Sequence, residues 1–363
     1  MKFCGSYRSG DVEFLLKRLV DMPFHDVATK ETLIQTGARH YSEMLSPESL
    51  PSAAYLSLFR EACEANWRQM AMDCLTLGAM IAEQRDGPIT LVSLARAGTP
   101  IGVILNHLLQ KVSKRKVIHY SISIIRDRGI DEVALHHILG LGHLPESIVF
   151  IDGWTGKGVI SGVLEESIRT FNEKNGTSID SGLYVLSDLA GTAAFAASYT
   201  DYLIPSSILN ATVSGLVSRS ILNDSIKSNE FHGCVYYENF EPHDLSIEFA
   251  QRVISDGLEL AKLGIHNYKI SGSRSDVAEI SEKYLNNAMI LHGVSDVNHI
   301  KPGIGEATRV LLRRVPKFLI LRDKHASSVA HLKILAQEKC VPILIDCDLP
   351  YQAVSIIGRH IDE

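Results

Sequence analysis

Apolar positions along the chain fall into two rhythms that alternate. From Asp11 to Val20 the apolar residues Phe14, Leu15, Leu19 and Val20 recur at a helical spacing, and Pro51 to Glu83 carries a long helical pattern rich in Ala, Met and Leu that Asp86, Gly87 and Pro88 end. Ile89 to Leu94 is too short for a helix and reads as a strand. It is followed by the turn Arg96-Ala97-Gly98-Thr99-Pro100 and the amphipathic stretch Ile101 to Leu109. The pattern then repeats. Val117 to Ile125 is a strand, Asp131 to Leu139 a helix, Ser147 to Ile151 a wholly apolar strand, Val159 to Asn172 a helix, Leu183 to Leu186 a strand and Ala190 to Ser198 a helix. After a helix over Leu245 to Leu263 and the Ser271-Gly272-Ser273 turn, the rhythm restarts. Helices are expected over Ser275 to Ala288, Glu306 to Arg314 and Ser327 to Glu338, and strands over Phe318 to Leu321 and Val341 to Asp346.

Short apolar strands alternating with helices predict an α/β fold whose mostly parallel sheet is covered on both faces, with ligands at the carboxyl ends of its strands. The boundary is placed near residue 270, giving a first domain over 1–270, helical over 1–86, and a second, smaller one over 271–363. With 45% hydrophobic and 21% charged residues the chain has ample material for buried cores. The N-terminus has no signal-peptide pattern, and the longest nearly uncharged stretch, Tyr202 to Ser218, is too polar to span a bilayer, so a cytoplasmic protein without a membrane partner is expected. The six cysteines form no CxxC pair, which fits a reducing compartment and offers no metal site. Net charge is −6, yet Val294 to His325 holds seven basic residues (Lys301, Arg309, Arg313, Arg314, Lys317, Arg322, Lys324) against three acidic ones, a candidate face for a polyanion or a solvated surface.

The most informative segment is Ile148-Val149-Phe150-Ile151-Asp152-Gly153-Trp154-Thr155-Gly156-Lys157-Gly158. Glycines, a threonine and a lysine at the end of a buried strand, opening a helix, form a bend whose amides suit a phosphate, with Asp152 placed to hold sugar hydroxyls. It matches neither the Walker A pattern nor GxGxxG. The alternative is a turn that binds nothing, with Lys157 solvated and Asp152 capping the helix.

This segment resembles the phosphoribosyl-diphosphate (PRPP) loop of type I phosphoribosyltransferases, and Leu91-Val92-Ser93-Leu94-Ala95-Arg96-Ala97-Gly98-Thr99-Pro100 resembles that family's pyrophosphate loop. Gly153 stands where the family commonly has a second acid. The whole chain looks like the phosphoribosyltransferase-like proteins of tellurite-resistance and stress gene clusters, some of which carry the label cysteine protease StiP. The resemblance implies a phosphoribosyltransferase-type sheet and a glycosyltransferase that moves ribose 5-phosphate from PRPP to a base or base-like acceptor with Mg²⁺. Under it, Arg96 and the Ala97, Gly98 and Thr99 turn hold pyrophosphate, and Asp152 holds the ribose. Gly153, Thr155, Gly156, Lys157 and Gly158 hold the 5-phosphate, and Arg126, in the segment Arg126-Asp127-Arg128-Gly129, belongs to a mobile catalytic loop or else to a hairpin tip. Trp154, Tyr199 and Tyr202 are candidates for stacking on a base, or ordinary packing. A homodimer is among the states compatible with it.

Lys301-Pro302-Gly303-Ile304-Gly305-Glu306-Ala307-Thr308-Arg309 resembles the glycine-rich turn of Pelota and L7Ae-type RNA-binding domains, implying a second α/β/α module and a structured RNA as partner. Amides of Gly303 to Glu306 and the following helix dipole suit a phosphate, while Lys301, Arg309 and Arg313 supply attraction and Glu306 can accept from a base. Two alternatives remain open: a cysteine hydrolase in which Cys4, Cys74 or Cys234 lies beside a histidine, and an RNA-binding scaffold that has lost its chemistry.

Overall fold

The computed structural model describes residues 2–20, 22–266, 270–313 and 316–358. The first module runs β1 (Glu13–Phe14), β2 (Lys17–Arg18), α1 (Val27–Gln35), α2 (Ala53–Gln84), β3 (Ile89–Ala95), α3 (Gly98–Lys111), β4 (Val117–Ile125), β5 (Gly129–Ile130) and α4 (Glu132–Gly140). It continues through β6 (Ile148–Ile151), β7 (Trp154–Thr155), α5 (Val159–Asn175), β8 (Leu183–Asp188), β9 (Phe195–Ser198), β10 (Gly233–Cys234) and α6 (Ser246–Lys262). The second holds α7 (Arg274–His292), β11 (Ile300–Pro302), α8 (Ile304–Arg313), β12 (Phe318–Leu321), α9 (Ala330–Glu338), β13 (Ile343–Ile345) and β14 (Ala353–Ile356).

The central sheet has β3 flanked by β4 and β6, with β1 beyond β4 and β8 beyond β6, every one of these pairs parallel. Alternation explains why it is covered twice. Along β6, Ile148 and Phe150 face α4 and α5, packing with Leu135, Ile138, Leu164, Ile168 and Phe171, whereas Val149 and Ile151 face α2, α3 and α6. Each fully buried side chain of this size contributes roughly 1.5–3 kcal/mol relative to exposure.

Two elements differ from expectation. Asp11 to Val20 is extended, because Phe14, Leu15 and Leu16 are all buried, which one helical face cannot do, and the Leu15 amide donates to the Ser121 carbonyl at 3.0 Å on the sheet edge. Ala190 to Ser198 is a loop followed by β9. The Asp188 carboxylate accepts from the Ala190 and Ala193 amides at 2.9 and 2.8 Å and turns the Ala-rich chain back onto β8.

The second module is a four-stranded mixed sheet, β11-β14-β12-β13, with α7 on one face and α8 and α9 on the other. Its strands β11 and β14 carry no clear period in the sequence. The apolar face of α8 (Ile304, Ala307, Leu311) also belongs to the core that contains Leu203, Ile204 and Ile208 of the first module, so the two modules share buried surface.

Candidate functional site

The chain leaves β3 toward β4 on one side and returns to β6 on the other, so the carboxyl ends of β3 and β6 border the crevice where doubly wound sheets bind ligands. Both glycine-rich segments end there. Gly98 is required by contact. A Cβ at that position would stand 2.4 Å from the Ile151 carbonyl oxygen, so only a glycine lets the start of α3 close on the end of β6. Gly158 sits at the N-cap of α5 with φ +77°, and no side chain caps the helix. Its first turn therefore faces a cavity of 550 Å³ lined by Ala97, Arg126, Asp152, the 154–161 segment and Tyr41, and by Asn298, Lys301, Pro302, Glu306 and Arg309 of the second module.

The two loops singled out in the sequence, 150 residues apart, thus form opposite walls of one space. A Cβ on Gly156 would lie 3.6 Å from the Pro302 carbonyl oxygen. The Trp154 indole N–H donates to Glu306 Oε1 at 3.3 Å, and the Arg309 guanidinium lies 5.5 Å over the Trp154 ring while pairing with Glu306 at 3.2 Å. Lys157 is not solvated: its Nζ donates to the Val297 carbonyl at 2.9 Å. Burial lowers its pKa to about 8, and the neighbouring Lys301 charge pushes the same way. Asp152 does not cap α5. Its carboxylate accepts from the Gly153 amide at 2.8 Å, and burial raises its pKa to about 7. A concave space with cationic groups, an uncapped helix start and one proton-binding carboxyl suits an anion.

Other expected residues are placed elsewhere. The Arg96 guanidinium is paired with Glu48 at 2.6 Å and donates to the Val217 carbonyl at 3.0 Å, so its charge is spent inside the first module. Thr99 is buried, its hydroxyl 2.7 Å from that of Ser121, and the Thr155 hydroxyl donates inward to Asp188. Thr155 lines the cavity, but neither hydroxyl is turned toward it, because each closes a hydrogen bond in the core. Arg126 does line it, from the tip of the antiparallel β4–β5 hairpin (Ile124 opposite Ile130), which is the hairpin reading of that segment. Tyr202 donates to Asp73 at 2.7 Å and packs in the core. On the second module, Gly303 and Gly305 face Leu189 and Ser207 of the first. The Arg313 side chain and Arg314 lie outside the described residues.

Sequence reasoning missed Tyr41, Asn298 and Asp201. None sits in a motif: the Tyr41 hydroxyl is placed within the first module by the Arg126 amide, which donates to it at 2.9 Å, whereas pairing of the modules brings Asn298 to the cavity and Asp201 to the start of α8. Asp201 accepts from the Ile304 amide at 2.8 Å, so the first module occupies one amide of this turn.

The cysteines lie away from the cavity. Cys63, Cys74 and Cys234 are buried, and burial raises the thiols of Cys63 and Cys234 to about 12 and that of Cys74 well above its ordinary value. Cys4 is half-buried, its thiol 3.9 Å from the Gly5 carbonyl oxygen; Cys340 and Cys347 are exposed on the second module. Among the described residues no helix is long and apolar enough to cross a membrane.

Comparison with known proteins gives two family matches. Residues 5–254 match the model described as tellurite-like stress resistance cysteine protease StiP, and residues 279–359 match the PELOTA RNA binding domain. A protein of Acinetobacter baylyi named cysteine protease StiP is 39% identical over 368 residues, covering 98% of this chain and 94% of its own. Among solved structures, Bna3p of Saccharomyces cerevisiae is 9% identical and covers 77% of this chain and 63% of its own with a TM-score of 0.19, too low to bear on the fold. These findings overturn the expected glycosyltransferase. The family and the full-length relative are cysteine proteases, and nothing supports PRPP, magnesium or ribose transfer.

Proposed function

Because the chain belongs to the StiP family of tellurite-like stress resistance cysteine proteases, we propose that it is a thiol-dependent hydrolase of a stress response, acting in a reducing cytoplasm on a peptide substrate. The observation that carries this reading is the end-to-end relation to a protein of that name, 39% identical over 98% of the chain. Six free thiols suit such a compartment. The nucleophile in this reading is one of the four cysteines of the first module, Cys4, Cys63, Cys74 or Cys234. A thiolate attacks, and burial holds the Cys63, Cys74 and Cys234 thiols protonated, so for any of these three the surroundings must open when substrate binds. The test is hydrolysis of a denatured protein before and after iodoacetamide, and in variants with each of the four replaced by Ala, their folding checked by melting temperature. Loss on alkylation, accelerated by substrate, and loss in one variant are expected. A chain lacking all four thiols that still cleaves would reject the reading.

The cavity supports a second reading at the level of the site, carried by the convergence of Lys157, Lys301, Arg309 and the uncapped start of α5. It binds a phosphate-bearing ligand, with Gly156 to Gly158 at the phosphate, Arg126 at the rim and Asp152 at a hydroxyl or ammonium of the same molecule. The likeness of the two loops to a phosphoribosyltransferase is then one of fold alone, without transfer chemistry. Calorimetry with inorganic phosphate on the intact chain and on Lys157→Ala checks it: a fall in affinity of about tenfold is expected, the size of one lost charge-assisted contact.

A further inference from the structure

The N-terminal turn of α8 is where the second module's glycines and amides suit a phosphate, and in this structure it is closed. Asp201, which follows β9 in the first module, sets one carboxylate oxygen 2.8 Å from the Ile304 amide and the other 2.7 Å from the Gln352 amide. Gly303 has φ +93°, and a Cβ there would stand 2.6 Å from the Leu189 side chain and 3.3 Å from Asp201 Oδ1, so the first module touches the turn itself. Two residues further along, a Cβ on Gly305 would stand 3.6 Å from the hydroxyl of Ser207, a residue 2% exposed whose hydroxyl has no hydrogen-bond partner. That hydroxyl is a buried polar group left facing the helix start, a costly arrangement unless something holds the modules together. What holds them is the apolar seam of Ile304 and Leu311 against Leu203, Ile204 and Ile208.

We infer that the first module keeps the second closed to RNA: the Asp201 carboxylate stands on the start of α8 where an RNA phosphate would stand, so docking of the modules and RNA binding at this turn exclude one another. A carboxylate and a phosphate oxygen compete for the same amides. Burial raises the Asp201 pKa to about 6 even though those amides oppose the rise, the signature of a charge enclosed rather than exposed. RNA must first part the seam, so its apparent affinity is its intrinsic affinity multiplied by the fraction of molecules that are open. The inference rests on reading the second module as RNA-binding, which is the description of the family matched by residues 279–359.

A reversible covalent lock tests it. The Cβ positions of Ser207 and Gly305 are 3.8 Å apart, the separation a disulfide asks for. In the full-length chain carrying Ser207→Cys and Gly305→Cys, oxidised glutathione takes the two electrons and two protons that form the bond, and a thiol reductant returns them. Binding of a fluorescein-labelled hairpin RNA at low salt is followed by anisotropy in both states, with the unaltered chain as oxidation control. Oxidation of the double variant is expected to weaken RNA binding about tenfold or more, with recovery on reduction, and Asp201→Asn to tighten it by a similar factor. Equal affinity in the locked and unlocked states would overturn the closure while leaving the RNA reading in place. Absence of binding by every form, Asp201→Asn included, would remove both.

Discussion

Two side chains in the cavity set its charge near neutral pH. Asp152 loses its proton at about 7 and Lys157 at about 8, one raised and the other lowered by the same enclosure. As pH falls through these values the cavity first gains a positive charge and then loses a negative one, so both steps favour an anion. Phosphate affinity is expected to rise by about tenfold for each step, measured by calorimetry across this range. Asp152→Asn should bind about tenfold more tightly than the parent at the alkaline end and show only the Lys157 step as pH falls; an unchanged profile would place Asp152 out of reach of the ligand. The same raised pKa bears on folding. A carboxyl that holds its proton more tightly when folded contributes stability at low pH that is lost as pH rises from 3.8 to about 7. The Asn variant is therefore expected to melt higher than the parent above that window.

Glycines separate the elements that build the site from those that merely pass by it. In Gly98→Ala the new methyl would meet the Ile151 carbonyl oxygen at 2.4 Å, a backbone atom that cannot swing aside, so α3 and β6 must move apart at the crevice. A loss of about 3 kcal/mol is expected. In Gly162→Ala, on the exposed side of α5 with nothing within 4 Å, the change adds helix propensity and should gain about 0.5–1 kcal/mol. Denaturant titration of the pair distinguishes packing from propensity. The contrast also explains what the sequence disclosed. The strand-turn-helix units around Gly98 and Gly156 to Gly158 were legible because apolar runs end abruptly in glycine. The strands β1, β2 and β9 were not, since what makes them extended is a partner outside the run itself: the distant Ser121 and His232 carbonyls for the first two, and the Asp188 carboxylate, five residues before Ala193, for the third. Lys157 was legible as a residue of the site but not as one that reaches Val297, and Thr155 was legible only as a hydroxyl, its partner being set by the register of β7 on β8.

At the scale of the molecule, the sheet module and the smaller module share one apolar core through α8, and they are expected to melt together. Leu311→Ala, which empties space on that helix, should cost about 2–5 kcal/mol and lower a single calorimetric transition; two separated transitions would show the seam to be weak. The common cavity has a thermodynamic corollary. Since its opposite walls come from Asp152 and Lys157 on one body and Lys301 and Arg309 on the other, whatever fills it recognises the assembled pair and makes separation harder. If a nucleic acid seated on α8 parts the modules, reciprocity requires that it expel that small molecule to the same degree, so the two ligands act as antagonists through the docking of the modules.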